Sequence, residues 1–270
     1  MFNITENDVK QYVFNRLNDE IEINEEKFSS VWDTYRQLDS FKISENLYEV
    51  FPYLDYKTGE LIQKIARYTT EFFITKAFVA NKIDLNDPNV KQDLIEGNIG
   101  TPGRIAKMWT GANISDDSEL MCGRWTKMPR IATFPNEDKE KPIPITKKVT
   151  INAVCSHHTA IFSTEWNSES YAIISYIPDE YVLGISKLQR LTDWVARRGW
   201  LQEELTKELY KKVSEAARTE NVYVKLVNLV HSCELNRGSK THSAGFTTEY
   251  FGGVFNNPEY RKIVNKDYWW

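Results

Sequence analysis

The sequence predicts an α+β protein, and three observations carry this prediction. Apolar residues recur at helical spacing in the first third of the chain, as at Ile65, Tyr68, Phe72 and Val79. From Lys148 onward, apolar and polar residues alternate in short segments, which is the period of strands. The order of strands, two helices and strands indicates the α+β class.

The first part of the chain predicts helices. Residues 1–95 are rich in Asn, Asp, Glu and Lys, and we interpret them as a helical extension. The segment TPGRIAKMW then predicts a helix in which Thr101 acts as a cap and Pro102 occupies the first turn, with Ile105, Met108 and Trp109 on one face. The polar, proline-bearing segment FPNEDKEKPIPITKK, at 134–148, predicts a linker.

The second part of the chain predicts strands around two amphipathic helices. The predicted strands are the segment from Lys148 to Cys155, YAIISYIP at 171–178, VYVKLVNLVH at 222–231 and GFTTEYFGGVF at 245–255. The last two are expected to pair with each other. The apolar faces of the helices consist of Ile185, Leu188 and Leu191 in the first and Leu205, Leu209 and Val213 in the second.

Composition limits the classes of partner. A net charge of -4 and a pI near 5.7 argue against sequence-independent binding of nucleic acid, which usually needs a basic domain. The sequence has no run of eighteen apolar residues, and its start, MFNITENDVK, lacks the basic and apolar blocks of a signal peptide. We therefore expect a cytoplasmic protein with no nucleic-acid partner and no membrane partner.

Cysteine and histidine concentrate in two short segments, CSHH and HSC. Cys155 and His158 have the spacing of a chelating pair, and Cys233 offers a third ligand from a distant strand. Three protein ligands leave one tetrahedral position open, as in catalytic zinc sites, and thiolate and imidazole favour Zn²⁺ over Mg²⁺. His157 and His231 are then left for general acid-base catalysis.

Two other interpretations of these residues stay open on the pattern alone. Cys155 and Cys233 are also typical of small buried apolar side chains, and the histidines of satisfied core or surface groups. A structural zinc site completed by His231 or His242 is the second alternative. Neither alternative gives a use to the basic residues that follow.

The segment SKLQR places Lys187 and Arg190 three residues apart at the start of the first helix, where the positive end of a helix attracts phosphate. Arg237 can add a third positive charge if the last strands pair. Each of these residues, taken singly, is more often a solvated surface charge. Glu203 opens the second helix and is either a ligand-binding carboxylate or a helix-start carboxylate.

Several collinear segments together resemble the GTP cyclohydrolase I family, over about residues 96–260. EGNIGTPGRIAKMW is similar to the family pattern EG…TP.R.AKM, CSHH to CEHH, and YIPDEYVLGISKLQRL to YIP…V.GLSKL.R. The resemblance continues through ARRGWLQEELT, HSCELNRG and GGVF. Several motifs at sensible intervals are far more specific than one CxxH.

The resemblance implies a zinc-dependent enzyme that opens the imidazole ring of GTP, releases formate and forms 7,8-dihydroneopterin triphosphate. It implies Zn²⁺ binding by Cys155, His158 and Cys233, and proton transfer by His157 and His231. The substrate-binding residues that it implies are Ser186, Lys187, Arg190 and Arg237 for the triphosphate and Gln202 and Glu203 for the guanine base.

The resemblance also implies the tunnelling fold, an antiparallel four-stranded sheet with two helices on one face. We therefore divide the chain into the helical extension at 1–95 and a catalytic domain at 96–270. The family's assembly is a decamer of two pentamers with sites between subunits. The product serves tetrahydrofolate, biopterin or 7-deazaguanine biosynthesis, and the sequence does not distinguish these pathways.

Three departures from the family pattern keep alternatives in view. Ser156 stands where the family usually has Glu, the segment at 159–175 is longer than usual, and residues 1–95 have no clear counterpart. The alternatives are ring opening of a purine nucleotide with a different product, and an inactive zinc-binding homologue with a regulatory or structural role. The related nitrile reductase is disfavoured, because it uses a cysteine nucleophile and NADPH.

Overall fold

The computed structural model describes residues 3–91, 100–111, 119–137, 143–236 and 245–266. The chain forms two compact units, Met1–Lys127 and Met128–Trp270. Compactness thus divides the chain at Lys127, whereas the division predicted from family motifs lies at residue 95 and stays a prediction. Among the described helices, none combines the length and apolar character that crossing a bilayer requires.

The first unit is helical, as the sequence predicts. Its helices are α1 (Glu6–Glu20), α2 (Glu25–Gln37), α3 (Leu47–Val50), α4 (Tyr56–Ala80), α5 (Pro88–Lys91) and α6 (Thr101–Thr110), followed by a short 3-10 turn at Cys122–Arg124. The first four begin after a side chain that accepts a hydrogen bond from the helix backbone, supplied by Thr5, Asn24, Asn46 and Asp55.

The predicted cap of α6 is wrong by one residue. Gly100 occupies the N-cap position and makes no side-chain cap, while Thr101 is the first helical residue. The Thr101 hydroxyl instead accepts a hydrogen bond from the Arg104 guanidinium at 3.3 Å. Pro102 lies in the first turn as predicted, where its missing N–H leaves no helical hydrogen bond unmade.

The core of the first unit lies between α1, α2 and α4. The predicted helical face of α4 is buried at Ile65, Tyr68 and Phe72, whereas Val79 is only half-buried near the helix end. These side chains pack with apolar residues of the other two helices, among them Val13, Leu17, Phe28 and Trp32. The amphipathic pattern therefore predicted the face of the longest helix correctly.

The second unit contains the strands β1 (Thr133–Pro135), β2 (Ile145–Val149), β3 (Asn152–Cys155), β4 (Ala160–Ser163), β5 (Tyr171–Tyr176), β6 (Tyr181–Leu183), β7 (Gly199–Trp200), β8 (Val222–His231) and β9 (Phe246–Phe251). Its helices are α7 (Lys187–Ala196), α8 (Gln202–Ala217), α9 (Ser232–Asn236) and α10 (Pro258–Lys266), with a 3-10 turn at Gly253–Asn256.

Seven of these strands form one sheet in the described part of the chain. Its order is β2-β5-β8-β4-β3-β7, and β9 pairs with β8 on a second edge. The pairings are antiparallel except for β3 with β7, which is parallel. The predicted pairing of the last two segments is confirmed by β8 and β9.

Three details of the second unit differ from the prediction. The single strand from Lys148 to Cys155 is broken at Thr150 and Ile151, whose N–H groups bond to the Gln189 amide and the Thr164 hydroxyl instead of to a strand. The predicted linker contains most of β1 and most of β2. The four-strand prediction leaves out the short strands β4 and β7, which both pair with β3.

Helices α7 and α8 share one core with the sheet, whereas α10 contributes to a separate core. Alternate residues of the central strands, such as Ile174 and Val224, belong to the first core, and Ile173 and Tyr223 belong to the second. Ile185 was predicted on the apolar face of α7, but it precedes the helix and is 87% exposed. The helix begins two residues later than its apolar pattern predicts.

Candidate metal centre and active site

The register of the sheet brings three distant segments of the chain together. Strand β3 ends at Cys155, which lies opposite Trp200 of β7, directly before α8 begins. Strand β4 places Phe162 opposite His231 at the end of β8. The Ser232 hydroxyl donates a hydrogen bond to the Ile161 carbonyl at 2.7 Å, which holds the start of α9 against β4.

These pairings assemble a potential metal-binding group. One ligand atom from each of Cys155, His231 and Cys233 lies within 4.8 Å of the others. The three residues are buried or half-buried. Burial and the neighbouring Cys155 thiol raise the pKa of the Cys233 thiol, because a thiolate there would be poorly solvated and close to a second sulfur.

Three contacts hold the ring of His231. Its ring stacks on Phe162 with centroids 4.4 Å apart and planes 7° apart, and Phe246 meets it edge-on at 5.6 Å. Its Nε2 lies 2.9 Å from the Gln202 side-chain oxygen. Burial lowers the pKa of His231 while the Glu203 carboxylate acts in the opposite direction, so the ring favours its neutral form.

A cavity of about 360 Å³ opens over this group. Its lining combines the sulfur and imidazole groups with the start of α8 and with β9, and it consists of Cys155, His157, His158, Leu201, Gln202, Glu203, His231, Cys233, Glu234, Phe246, Thr247 and Thr248. His157 and His158 are exposed on the turn between β3 and β4, with ring centroids 6.1 Å apart. His158 is therefore at the cavity but outside the close metal-binding group of the described residues.

Three of the predicted phosphate-binding residues, Ser186, Lys187 and Arg190, lie away from the cavity of their own chain. Ser186 precedes α7 without making a side-chain cap, Lys187 begins that helix, and Arg190 is exposed one turn later. They share the helix start, as predicted, but they do not line the cavity at Cys155. Arg237 and His242 lie outside the described residues.

Two features of the site were not anticipated from the sequence. Phe162 and Phe246 confine the His231 ring, and the segment AIFS of β4 has no alternation that would have signalled the burial of Phe162. Ser156, the departure from the family pattern, donates its backbone N–H to the Trp200 carbonyl at 3.0 Å. That bond depends on the backbone alone and joins the turn after Cys155 to the segment before α8.

With this geometry established, comparison with known proteins identifies the family. A model of the GTP cyclohydrolase I family matches residues 87–267, about two thirds of the chain. The chain belongs to the GTP cyclohydrolase I family. This confirms the resemblance that the motifs indicated and the prediction of an enzyme, and the matched region contains every residue of the cavity.

Individual members of the family are similar over most of this chain. A GTP cyclohydrolase 1 of Wigglesworthia glossinidia brevipalpis is 30% identical over 209 residues, which cover 77% of this chain and 84% of that protein. A GTP cyclohydrolase 1 of Flavobacterium johnsoniae is 29% identical over 181 residues, covering 67% and 71%. A solved structure of an archaeosine synthase QueF-Like is similar to 42% of this chain, at 23% identity and a TM-score of 0.31.

Proposed function

We propose that the chain converts GTP and water into formate and 7,8-dihydroneopterin triphosphate. The observation that carries this proposal is the convergence of Cys155, His231 and Cys233 at one cavity in a member of the GTP cyclohydrolase I family. In the net reaction, one water molecule is consumed, C8 of the guanine base leaves as formate, and the ribose carbons rearrange to close the pterin ring.

The donor set fits a zinc ion. Two thiols lie beside an imidazole at the cavity, and soft sulfur and nitrogen ligands are those that zinc prefers. We assign the sulfurs of Cys155 and Cys233, together with the predicted imidazole of His158, as ligands; His231 is the alternative third ligand that lies nearer. When bound, zinc lowers the pKa of a coordinated water and supplies a nucleophile near neutral pH.

The remaining histidines handle protons. His231 is buried and favours the neutral form, so one ring nitrogen carries a lone pair that accepts a proton during ring opening. His157 lies at the exposed side of the cavity, where it exchanges protons with solvent. Glu203 is exposed at the start of α8 and is placed to accept hydrogen bonds from N–H groups of the guanine base.

The triphosphate site requires a second chain in this proposal. Ser186, Lys187 and Arg190 are at the N-terminal end of α7, a helix of ten residues whose positive end favours phosphate. Because they do not line the cavity of their own chain, we propose that they serve a cavity of a neighbouring subunit in a decamer of two pentamers, together with Arg237. We also propose that the protein acts in the cytoplasm.

Turnover of GTP by the zinc-loaded chain tests this function. Formate release and the pterin chromophore are followed together, with Cys155→Ser and Cys233→Ser as site variants. Cys122→Ala is the matched control, because it removes a buried thiol of the first unit. Both products in the wild type and in the control, with a loss of at least about 100-fold in the site variants, support the proposal.

Other outcomes of the same assay would support a different function. Formate without the pterin chromophore would show that ring opening stops at a different product. Tight zinc binding with neither product would favour the inactive, regulatory alternative.

A further inference from the structure

The side chain of Gln202 has a fixed orientation beside His231. Gln202 is the first residue of α8 and only 3% exposed. Its Nε2 donates hydrogen bonds to the Phe246 carbonyl at 2.9 Å and to the Thr248 hydroxyl at 3.1 Å. A backbone carbonyl only accepts hydrogen bonds, so the amide group that faces Phe246 is the NH₂ and not the oxygen.

A chain of hydroxyl groups confirms the direction of these bonds. The Thr206 hydroxyl donates to the Gln202 backbone carbonyl at 2.8 Å. Its proton is therefore committed, and in the 2.7 Å contact between the Thr206 and Thr248 hydroxyls Thr248 is the donor. The Thr248 oxygen is left as an acceptor for the Gln202 NH₂ group. Every proton in this network has one consistent position.

The orientation of Gln202 determines which nitrogen of His231 carries the proton. With its NH₂ group turned to β9, the amide presents its oxygen to His231 Nε2 at 2.9 Å. An amide oxygen only accepts hydrogen bonds, so Nε2 is the donor. The lone pair of the neutral ring then resides on Nδ1. The two aromatic rings that confine His231 keep the imidazole from rotating out of this arrangement.

We infer that Gln202 is a positioning residue that holds His231 in the tautomer protonated at Nε2, with Nδ1 as the atom that accepts a proton or binds a metal. The catalytic consequence rests on the proposed function, but the tautomer does not. This role differs from the guanine contact that the resemblance implies for Gln202. Both N–H groups of its amide are used inside the protein, which leaves base recognition to Glu203.

Solid-state ¹⁵N NMR tests the tautomer directly. The full chain contains four histidines, so selective ¹⁵N-histidine labelling gives a small set of ring signals, and His231→Asn identifies those of His231. Spectra are recorded on the protein as purified and after chelation of its metal. In the wild type we expect a protonated Nε2 and an unprotonated Nδ1 for His231 in both samples.

A variant at position 202 separates orientation from folding. Gln202→Met keeps a side chain of similar length but removes the acceptor opposite Nε2, and it is expected to give a mixture of the two tautomers. Gln189→Met is the matched control, because Gln189 also makes three side-chain hydrogen bonds, to Thr150 and Asp193, away from His231. Unchanged His231 signals in Gln202→Met, or Nδ1 protonated in the wild type, would overturn the inference.

Kinetics distinguish the positioning role from a guanine contact. We expect Gln202→Met to lower kcat about 10- to 100-fold with little change in KM, since general acid-base catalysis contributes factors of this order or larger. A rise in KM with unchanged kcat and unchanged His231 signals would instead support the guanine contact. If the wild type does not turn over GTP, the proposed function fails while the NMR measurement still decides the tautomer.

Discussion

At the scale of single residues, the chemistry of the site depends on which residues of CSHH and HSC bind metal and which transfer protons. The spacing of Cys155 and His158 suits a chelating pair, yet among the described residues the imidazole that lies within 4.8 Å of both sulfurs is that of His231. His231 already donates one ring N–H to Gln202, a partnership that is also common for histidines that bind metals. Spacing and distance therefore favour different third ligands.

Zinc content of single variants decides between the two histidines. If His158 is the ligand, His158→Ala weakens zinc binding more than about 10-fold, a cost that even outer partners of a metal site can reach. His231→Ala then retains zinc and loses turnover. Zinc is measured by elemental analysis after dialysis against a competing chelator, with His157→Ala as the neighbouring control. Zinc lost from His231→Ala but kept by His158→Ala would assign His231 as the ligand.

At the scale of secondary-structure elements, α1 and α4 are joined by partly buried ion pairs. Glu20, the last residue of α1, accepts hydrogen bonds from Lys64 at 2.6 Å and from Arg67 at 2.6 Å, and from the Tyr68 hydroxyl. A second group joins Glu71 of α4 to α1 through Tyr12 and Arg16. The packing of α1 on α4 therefore depends on the ionisation of Glu20 and Glu71.

The contribution of Glu20 to stability is expected to depend on pH. Burial raises the pKa of Glu20, but Lys64, Tyr68 and Arg67 outweigh it and bring that pKa below its ordinary value. Because the pKa of Glu20 is lower in the folded state, its ion pairs stabilise the protein fully above the pKa of the unfolded state, about 4.3. This stabilisation is lost as the pH falls through the pKa of the folded state.

Urea unfolding at pH 7 and pH 3 measures this effect. Glu20→Gln is expected to lower the free energy of unfolding by about 1 kcal/mol at pH 7, the upper end for pairs that solvent still reaches. The difference from wild type should shrink at pH 3. The exposed Glu22→Gln serves as control. An equal difference at both pH values would show that packing and not charge is responsible.

The turn after β9 contains a glycine in a backbone conformation that other residues rarely adopt. Gly253 has a φ of +57°, and a Cβ atom built on it would lie 2.1 Å from the Asn221 side-chain oxygen and 2.9 Å from its Cα. We expect Gly253→Ala to destabilise the protein by about 1–3 kcal/mol, through strain and the close approach together. Thermal unfolding of the variant and the wild type measures this loss of stability.

Gly184→Ala is the matched control for this turn. A Cβ at Gly184 would meet the flexible Lys187 side chain at 3.3 Å, and Gly184 has no positive φ. Equal melting temperatures for Gly253→Ala and the wild type would show that the turn relaxes without cost.

At the scale of the whole molecule, the separation of Ser186, Lys187 and Arg190 from the cavity predicts an assembly. Light scattering on the purified chain should give ten times the chain mass of 31.5 kDa. Because Lys187→Ala and Cys233→Ser would disable complementary halves of a shared site, mixed oligomers of these two inactive variants should regain measurable turnover. A monomeric active enzyme, or no turnover from the mixture, would contradict a shared site.

The sequence by itself determined the elements that local periodicity controls. Strand β8 and the helical face of Ile65, Tyr68 and Phe72 follow from residue spacing, since a period of two or of 3.6 decides which side chains share a face. Collinear motifs such as CSHH and HSC were sufficient to predict the family.

Only the tertiary structure decided how these segments meet. Sheet register brings Cys155 and His231 together, and no local pattern encodes the pairing of Phe162 with His231. Long-range hydrogen bonds also ended the strand at Thr150 and turned Gln202 towards β9. Such contacts join residues 39 to 44 positions apart, so they depend on the folded arrangement of both partners and not on the propensities of either segment.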